Sequence, residues 1–377
     1  MPLADELLGP SSAVDLARCL KSVAPDQKWS AVKGCAKSFD GATLSERNGL
    51  VRAALLGELP PTYVSSAKIV RAALKDPEFA GWMLWPVGEA LAFKALASTR
   101  ERDFDDGLKL LAQMTGRFTS EFAIRIFLNA DLERSIAAAI VWTSSSDESV
   151  RRLASEGTRP RLPWAKSVPA LRARPQSALA ILDLLYTDES ETVRRSVANH
   201  LNDISRFDAD VAVRTASRWL DHPQETTPKL VRHAMRTLIK QAHPGALALM
   251  GFSSTDGISV DRPTLENGVV PLGGELVFDG VIVNEGPHRA RVVIDYVIHY
   301  RKASGQTAPK VFKLSTKTLA PGERVVVHKR HSFKPISTRK HYVGPHAIEI
   351  QVNGARSESV LFDVVGTLDG FRTVAAK

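Results

Sequence analysis

The feature that most constrains this chain is a phrase that recurs three times: Ser149-Val150-Arg151-Arg152-Leu153-Ala154, Thr192-Val193-Arg194-Arg195-Ser196-Val197 and Leu230-Val231-Arg232-His233-Ala234-Met235. The copies are offset by 43 and 38 residues, and Asp147-Glu148 and Asp188-Glu189 stand before the first two as helix starts. A period of that length with acidic caps is what paired helices of HEAT type show. Such units stack into a solenoid, because one unit cannot bury its apolar face alone. The rest of the first 250 residues agrees, reading as amphipathic segments near 11–23, 43–56, 63–74, 84–98, 103–116, 119–128, 131–142, 147–157, 177–186, 188–204, 208–221 and 228–240.

Near residue 255 the period changes from helical to two. Val292, Ile294, Tyr296, Ile298 and Tyr300 alternate with Val293, Asp295, Val297 and His299, and Ile348-Glu349-Ile350-Gln351-Val352 reads as another strand. Further strands are expected at 275–284, 309–319, 323–333 and 358–365, divided by turns such as Asn284-Glu285-Gly286-Pro287 and Ala320-Pro321-Gly322-Glu323. About seven short strands suggest an immunoglobulin-like sandwich. The expectation is a multidomain chain: an all-α HEAT-like repeat solenoid over 1–254, then an all-β immunoglobulin-like sandwich over 255–377.

Charge separates the two parts again. The chain carries +9, and residues 251–377, with 17 Lys and Arg against 12 Asp and Glu, hold +5 of it. Residues 301–340 contain eleven basic side chains against the single acid Glu323, with Lys329, Arg330, Lys334, Arg339 and Lys340 close together. Such a stripe suits phosphate neutralisation; the alternative is a solvated basic surface. Cys19 and Cys35 form neither a disulfide framework nor a metal spacing. The chain has no phosphate-cradling loop and no dinucleotide fingerprint, and the histidine cluster at 328, 331, 341 and 346 is interrupted by Lys and Arg. No cofactor and no metal are expected. An acidic N-terminus without a signal pattern, and no apolar stretch of spanning length, lead to the expectation of a soluble cytoplasmic protein with no membrane partner.

Helical geometry then sorts the polar residues. With Val150, Leu153 and Ala154 buried, Arg152 and Glu156 share the outer face, and Arg195, Asn199 and Asp203 lie outside the stripe of Val193, Val197 and Leu201. Acids and arginines would line one wall, with Arg152, Arg195 and His233 at equivalent positions as a ladder for phosphates. Ordinary solvated ion pairing is the alternative. Trp164 lies among Pro160, Pro163, Arg159 and Arg161, so it is expected on a stiff connector, where an indole can meet a cation; packing between repeats is its alternative role. Trp29, Trp82, Trp85, Trp142 and Trp219 are read as packing residues.

The runs Val150–Trp164, Val193–Ser205 and Arg232–Lys240 resemble the AlkC branch of the HEAT-repeat DNA glycosylases, alkylpurine glycosylases related to AlkD, some of which end in an immunoglobulin-like domain. The resemblance implies that Asp203 and Trp164 stand beside the lesion and Arg152 on the DNA backbone, with Glu156 and Glu121 as further acids and Phe122 adjacent. It also implies release of 3-methyladenine and 3-methylcytosine from double-stranded DNA by a monomer without a base-flipping pocket. Arg159, Arg161, Arg195 and His233 join Arg152, Phe122 and the basic stripe as expected DNA contacts. The chemistry is coherent: a base methylated on a ring nitrogen leaves as a neutral molecule, so no general acid is needed, only negative charge near the sugar cation and a positioned water. The competing reading is a non-catalytic repeat scaffold that holds DNA or a protein partner.

Overall fold

The computed structural model describes residues 4–252, 255–336 and 339–366. Its polypeptide divides into two compact units between Ala234 and Met235. The first unit is all helical and the strands lie entirely in the second.

In the helical unit the three helices that carry the repeated phrase, Glu148–Gly157, Glu191–Ile204 and Thr227–Ala234, pack side by side in succession. Helices Leu44–Glu58, Leu84–Leu96 and Ile124–Ala130 do the same earlier in the chain. Helices Tyr63–Ala73, Arg102–Met114, Leu132–Trp142 and Leu179–Leu185 form the second layer behind them. Each phrase contributes its apolar residues to the interface between layers, with Val150, Leu153, Val193, Val197, Leu230 and Val231 all buried. The first arginine of the first copy ties one repeat to the next, whereas that of the second copy bonds back to the turn before its own helix. Arg151 donates to Asp188 at 2.7 and 3.1 Å, and Arg194 donates to the carbonyl oxygens of Asp188 and Glu189. Asp147 caps its helix as expected, accepting from the Ser149 N–H at 2.8 Å. Asp188 instead folds over the Ser190 N–H and takes Arg151.

Two expected helices differ from the structure. The segment expected at 119–128 becomes helical only at Ile124, because Ser120 donates its hydroxyl to the Leu111 carbonyl and its N–H to Thr115, which holds the preceding turn. The segment expected at 228–240 is two helices, Thr227–Ala234 and Arg236–Lys240, separated at Met235 where the compact units divide. Short helices such as Pro169–Ala173 and Pro244–Leu249 are too brief to show a period.

The second unit is a two-sheet sandwich. Its strands are β1 (Ile258–Val260), β2 (Thr264–Leu265), β3 (Val269–Pro271), β4 (Glu275–Asn284), β5 (Ala290–Arg301), β6 (Thr307–Leu319), β7 (Arg324–Ser332), β8 (Gly344–Val352), β9 (Ala355–Arg356) and β10 (Val360–Val365). One sheet sets β4 between β7 on one side and β1 and β2 on the other; the second runs β3-β10-β8-β5-β6, with β9 beside β8. Phe278, Ile282, Tyr296, Ile298, Phe333, Ile348 and Ile350 meet in the core between them.

Strand β5 is buried on both faces. Its even-numbered residues from Val292 to Tyr300 enter the sandwich core, whereas Val293, Asp295 and Val297 point the other way and are buried too. The cover on that outer face comes from the helices Arg236–Lys240 and Pro244–Leu249. Gln351 donates to the Lys240 carbonyl at 3.3 Å, and Arg291 to the Met250 carbonyl at 2.7 Å. Gly354, at φ 96°, touches the same cover: a Cβ there would lie 2.0 Å from the Ala242 Cβ. The helix-to-strand change thus falls near residue 255, while the packing boundary falls at 234/235. No helix among the described residues is long and apolar enough to cross a membrane.

Candidate active site and nucleic-acid surface

The site is built where two neighbouring phrase helices pack. Helix Glu148–Gly157 presents Ser155 and Glu156 to a stripe on helix Glu191–Ile204 made of Ser196, His200 and Asp203, four and then three residues apart. The Ser196 hydroxyl lies 3.0 Å from Ser155 Oγ and donates to Glu156 Oε2 at 2.7 Å. His200 Nδ1 lies 2.9 Å from the Ser155 carbonyl, so that nitrogen carries a proton. Burial, helped by the Arg159 charge, pushes His200 down to about 3.

Around this seam, acids and guanidinium groups alternate. Glu121 accepts from Arg152 at 3.0 Å; Arg152 lies 3.8 Å from Glu156; Glu156 accepts from Arg159 at 2.6 Å; and Arg159 Nε donates to Asp203 at 2.8 Å. Within the row three carboxylates face two guanidinium groups, and the charges of Arg125 and Arg206 also act on Asp203. Burial pushes the Asp203 carboxyl above its ordinary value, and the Arg159 guanidinium opposes that rise. A carboxylate held in such a place acts strongly on any positive charge brought near it, because little water screens it.

The structure corrects the single exposed wall expected for these residues. Glu156 and Asp203 are buried, not on an outer face, because Asp203 shares its helical stripe with Ser196 and His200 and faces the preceding repeat. Arg159, expected on DNA, is buried between the two acids. Phe122, also expected on DNA, is buried against Trp85 with ring centroids 4.6 Å apart. Arg152 remains partly exposed but is engaged by Glu121. Arg195 and His233 are exposed, the first 3.5 Å from Glu191 and the second 3.0 Å from Asn199 Oδ1.

Trp164 lies outside any helix, between Gly157 and Pro169, and is 56% exposed with φ 63°. Trp29, Trp85, Trp142 and Trp219 are buried. The connector that carries Trp164 borders a groove of about 550 Å3 whose rim includes Arg161, Arg172 and Arg206. Sequence reasoning missed Arg125, Ser196 and His200. For the last two the 196/200/203 spacing was a readable signal, and for Arg125 it was the arginine inside Ile124-Arg125-Ile126-Phe127-Leu128.

In the sandwich the basic stripe follows two edge strands, β6 and β7, which lie beside each other at one margin of the two sheets. Lys329, Arg330, Lys334 and Lys340 are exposed; Arg330 pairs with Glu275 at 2.9 Å. Arg339 lies over the Tyr300 ring, 4.4 Å from its centroid. Edge-strand lysines also block unwanted strand pairing, so position alone does not make them a ligand surface. Among the described residues no group of three or more His, Cys, Asp or Glu side chains is placed to hold a metal ion.

Comparisons with known proteins cover most of the chain. Residues 259–366 match the family described as the C-terminal Ig-like domain of the uncharacterised protein YhaZ. YhaZ of Bacillus subtilis (strain 168) is 38% identical over 325 residues, which cover 85% of this chain and 87% of that protein. Among solved structures, Pseudomonas fluorescens alkylpurine DNA glycosylase AlkC, bound to DNA containing an abasic site analog, is 31% identical with a TM-score of 0.85, covering 97% of this chain and 100% of that one. At 31% identity with a TM-score of 0.85 over 97% of its length, the chain belongs to the AlkC type of HEAT-like repeat DNA alkylation-repair glycosylases, and its relative YhaZ shares the C-terminal immunoglobulin-like domain.

Proposed function

We propose that this protein hydrolyses the N-glycosidic bond of cationic methylated bases, 3-methyladenine and 3-methylcytosine, in double-stranded DNA, acting as a monomer and without a pocket for a flipped base. The observation that carries the reading is the row Glu121, Arg152, Glu156, Arg159 and Asp203, with Glu156, Arg159 and Asp203 buried, together with an exposed indole on the connector that follows helix Glu148–Gly157. The similarity to AlkC supports it.

As the bond from C1′ to the base nitrogen breaks, its electron pair neutralises the cationic base and positive charge moves onto the sugar. Water then adds to C1′ and gives up a proton. Asp203 is assigned the stabilisation of the sugar cation and receipt of that proton, with Glu156 and Glu121 adding to the negative field. Arg159 holds the two inner acids in place, and Arg152 and Arg161 meet the DNA backbone. Trp164 lies against the cationic base or the sugar, an attraction of about 0.5–2 kcal/mol. The basic edge of the sandwich, with Lys329, Arg330, Lys334, Arg339 and Lys340, supplies affinity for phosphates.

A non-catalytic scaffold is the second reading, favoured by the fact that every acid in the row already has a guanidinium partner. Incubating the full chain with methylated DNA and separating released bases by chromatography decides between them. Release of 3-methyladenine or 3-methylcytosine is expected, and tight DNA binding with no base release would favour the scaffold.

A further inference from the structure

Arg125 is buried to 1% exposure in helix Ile124–Ala130, flanked by the apolar residues Ile124, Ile126, Phe127 and Leu128. A guanidinium in such a place requires a full set of acceptors. It finds three of them on the Trp164 connector. Nη1 donates to the carbonyl of Gly157 at 3.3 Å and of Arg159 at 2.9 Å, and Nε donates to the carbonyl of Lys166. One turn further along the same helix, Asn129 Nδ2 donates to the Ser167 carbonyl at 3.1 Å.

One helix face therefore grips both ends of the connector, at Gly157 and Arg159 where it leaves its helix and at Lys166 and Ser167 where it returns. Gly157 permits the close approach: a Cβ there would lie 2.8 Å from the Ile124 Cγ2. Between the two grips stands Trp164, exposed and at φ 63°, a left-handed conformation that a bulky side chain keeps only when its surroundings impose it. Arg159, held by its carbonyl, is also the residue whose guanidinium ties Glu156 to Asp203.

We propose that Arg125, with Asn129, is the positioning pair that fixes the exposed indole of Trp164 relative to the Glu156–Arg159–Asp203 cluster. Its consequence for catalysis rests on the proposed role of Trp164. A lysine cannot replace Arg125, because a point charge on a flexible stem does not span three carbonyls set apart in the way the planar fork does.

The test uses the full chain labelled with 5-fluorotryptophan, whose six indoles are read by fluorine NMR, with the Trp164 resonance assigned from Trp164→Phe. In Arg125→Lys and in the milder Asn129→Ala, the Trp164 resonance is expected to shift or broaden while the other five keep their positions. Trypsin is expected to cut after Arg161 or Lys166 faster than in the parent. Base release should fall on the order of 10²-fold in Arg125→Lys, since small displacements in a site cost that much, with DNA affinity nearly unchanged. A Trp164 resonance that stays put in both variants, or a displacement of all six together in Asn129→Ala, overturns the proposal. A displaced Trp164 resonance with undiminished base release supports the positioning pair and counts against the part given to Trp164 in the chemistry.

Discussion

Arg151, Arg152 and Arg159 in the helical unit and the basic residues at the edge of the sandwich are held in opposite ways. In the first, Arg151 is buried against Asp188, Arg152 leans on Glu121, and Arg159 is closed between Glu156 and Asp203. In the second, Lys329, Lys334 and Lys340 stand exposed along or beside an edge strand. Charges of the first kind act over short distances through a medium that screens poorly. Those of the second act at long range and are weakened by salt. On the proposed function the first kind would serve the chemical step and the second affinity, and each variant below can break that division.

The largest effect is expected from Asp203→Asn. It should lower base release about 10²–10³-fold, as loss of a preorganised electrostatic group does, with DNA affinity and its salt dependence kept. Because burial pushes the Asp203 carboxyl up, the parent should lose activity with falling pH before the ordinary aspartate range is reached, as that carboxylate takes up a proton. The acid limb should be absent from the residual activity of the variant. A parallel loss of DNA affinity in Asp203→Asn would show the acid row to be a binding scaffold instead.

Reversing Lys329, Lys334 and Lys340 to Glu in the full chain should act on affinity, with the slope of log K against log salt reduced by as much as about 0.9 for each phosphate that is no longer neutralised. Reversal of Lys302, in the turn between β5 and β6, is expected to matter less. Charge reversal is a cleaner probe than deletion after residue 255, since deletion would strip the sheet from the helices that Gln351 and Arg291 bond. An unchanged salt slope would separate the sandwich from DNA binding.

The two tryptophans sharpen the comparison within the helical unit. Trp142→Ala removes a buried indole and should cost about 3–5 kcal/mol of stability, read as a lowered Tm. Trp164→Ala removes an exposed one and should lower base release with little change in Tm. Equal losses of activity after correction for folding would mean that both act through packing.

The smallest effect belongs to Asp295, buried on the outer face of β5 and pushed up to about 6 chiefly by that burial. A carboxyl whose folded pKa lies above its unfolded value contributes stability below the unfolded pKa and loses it as pH rises through the folded one. Asp295→Asn should therefore raise Tm at pH 8 and change it little or lower it at pH 4, with base release at pH 8 unaltered. A variant less stable at pH 8 than the parent would mean that Lys313, Lys240 and Gln351, which draw the carboxyl down, outweigh its burial.

Much of this arrangement is legible in the order of residues. The repeated phrase locates three stacked helices, alternation locates β5 and β8, and the prolines around Trp164 mark a connector. What misleads is the treatment of each helix as having one apolar stripe and one wet face. Asp203 and Glu156 lie off the apolar stripe and are buried even so, because each is covered from the neighbouring repeat, Glu156 by Ser196 and Asp203 by Arg159. Phe122 is lost to Trp85 for the same reason: a ring beside an acid in sequence shows nothing of the ring it meets in space.

The sequence alone determined the two architectures, the residues that would form apolar stripes and the concentration of positive charge in the last third. These are properties of period and composition, which a chain carries whatever it packs against. Only the tertiary structure decided which arginines would be engaged by carboxylates and which left for a ligand. It also decided that Arg125 would hold the two ends of a connector 32 and 41 residues away in the chain, and that helices 236–249 would cover a sheet. Partner choice among groups of like chemistry depends on distance and burial after folding, and neither has a local signature in the order of residues.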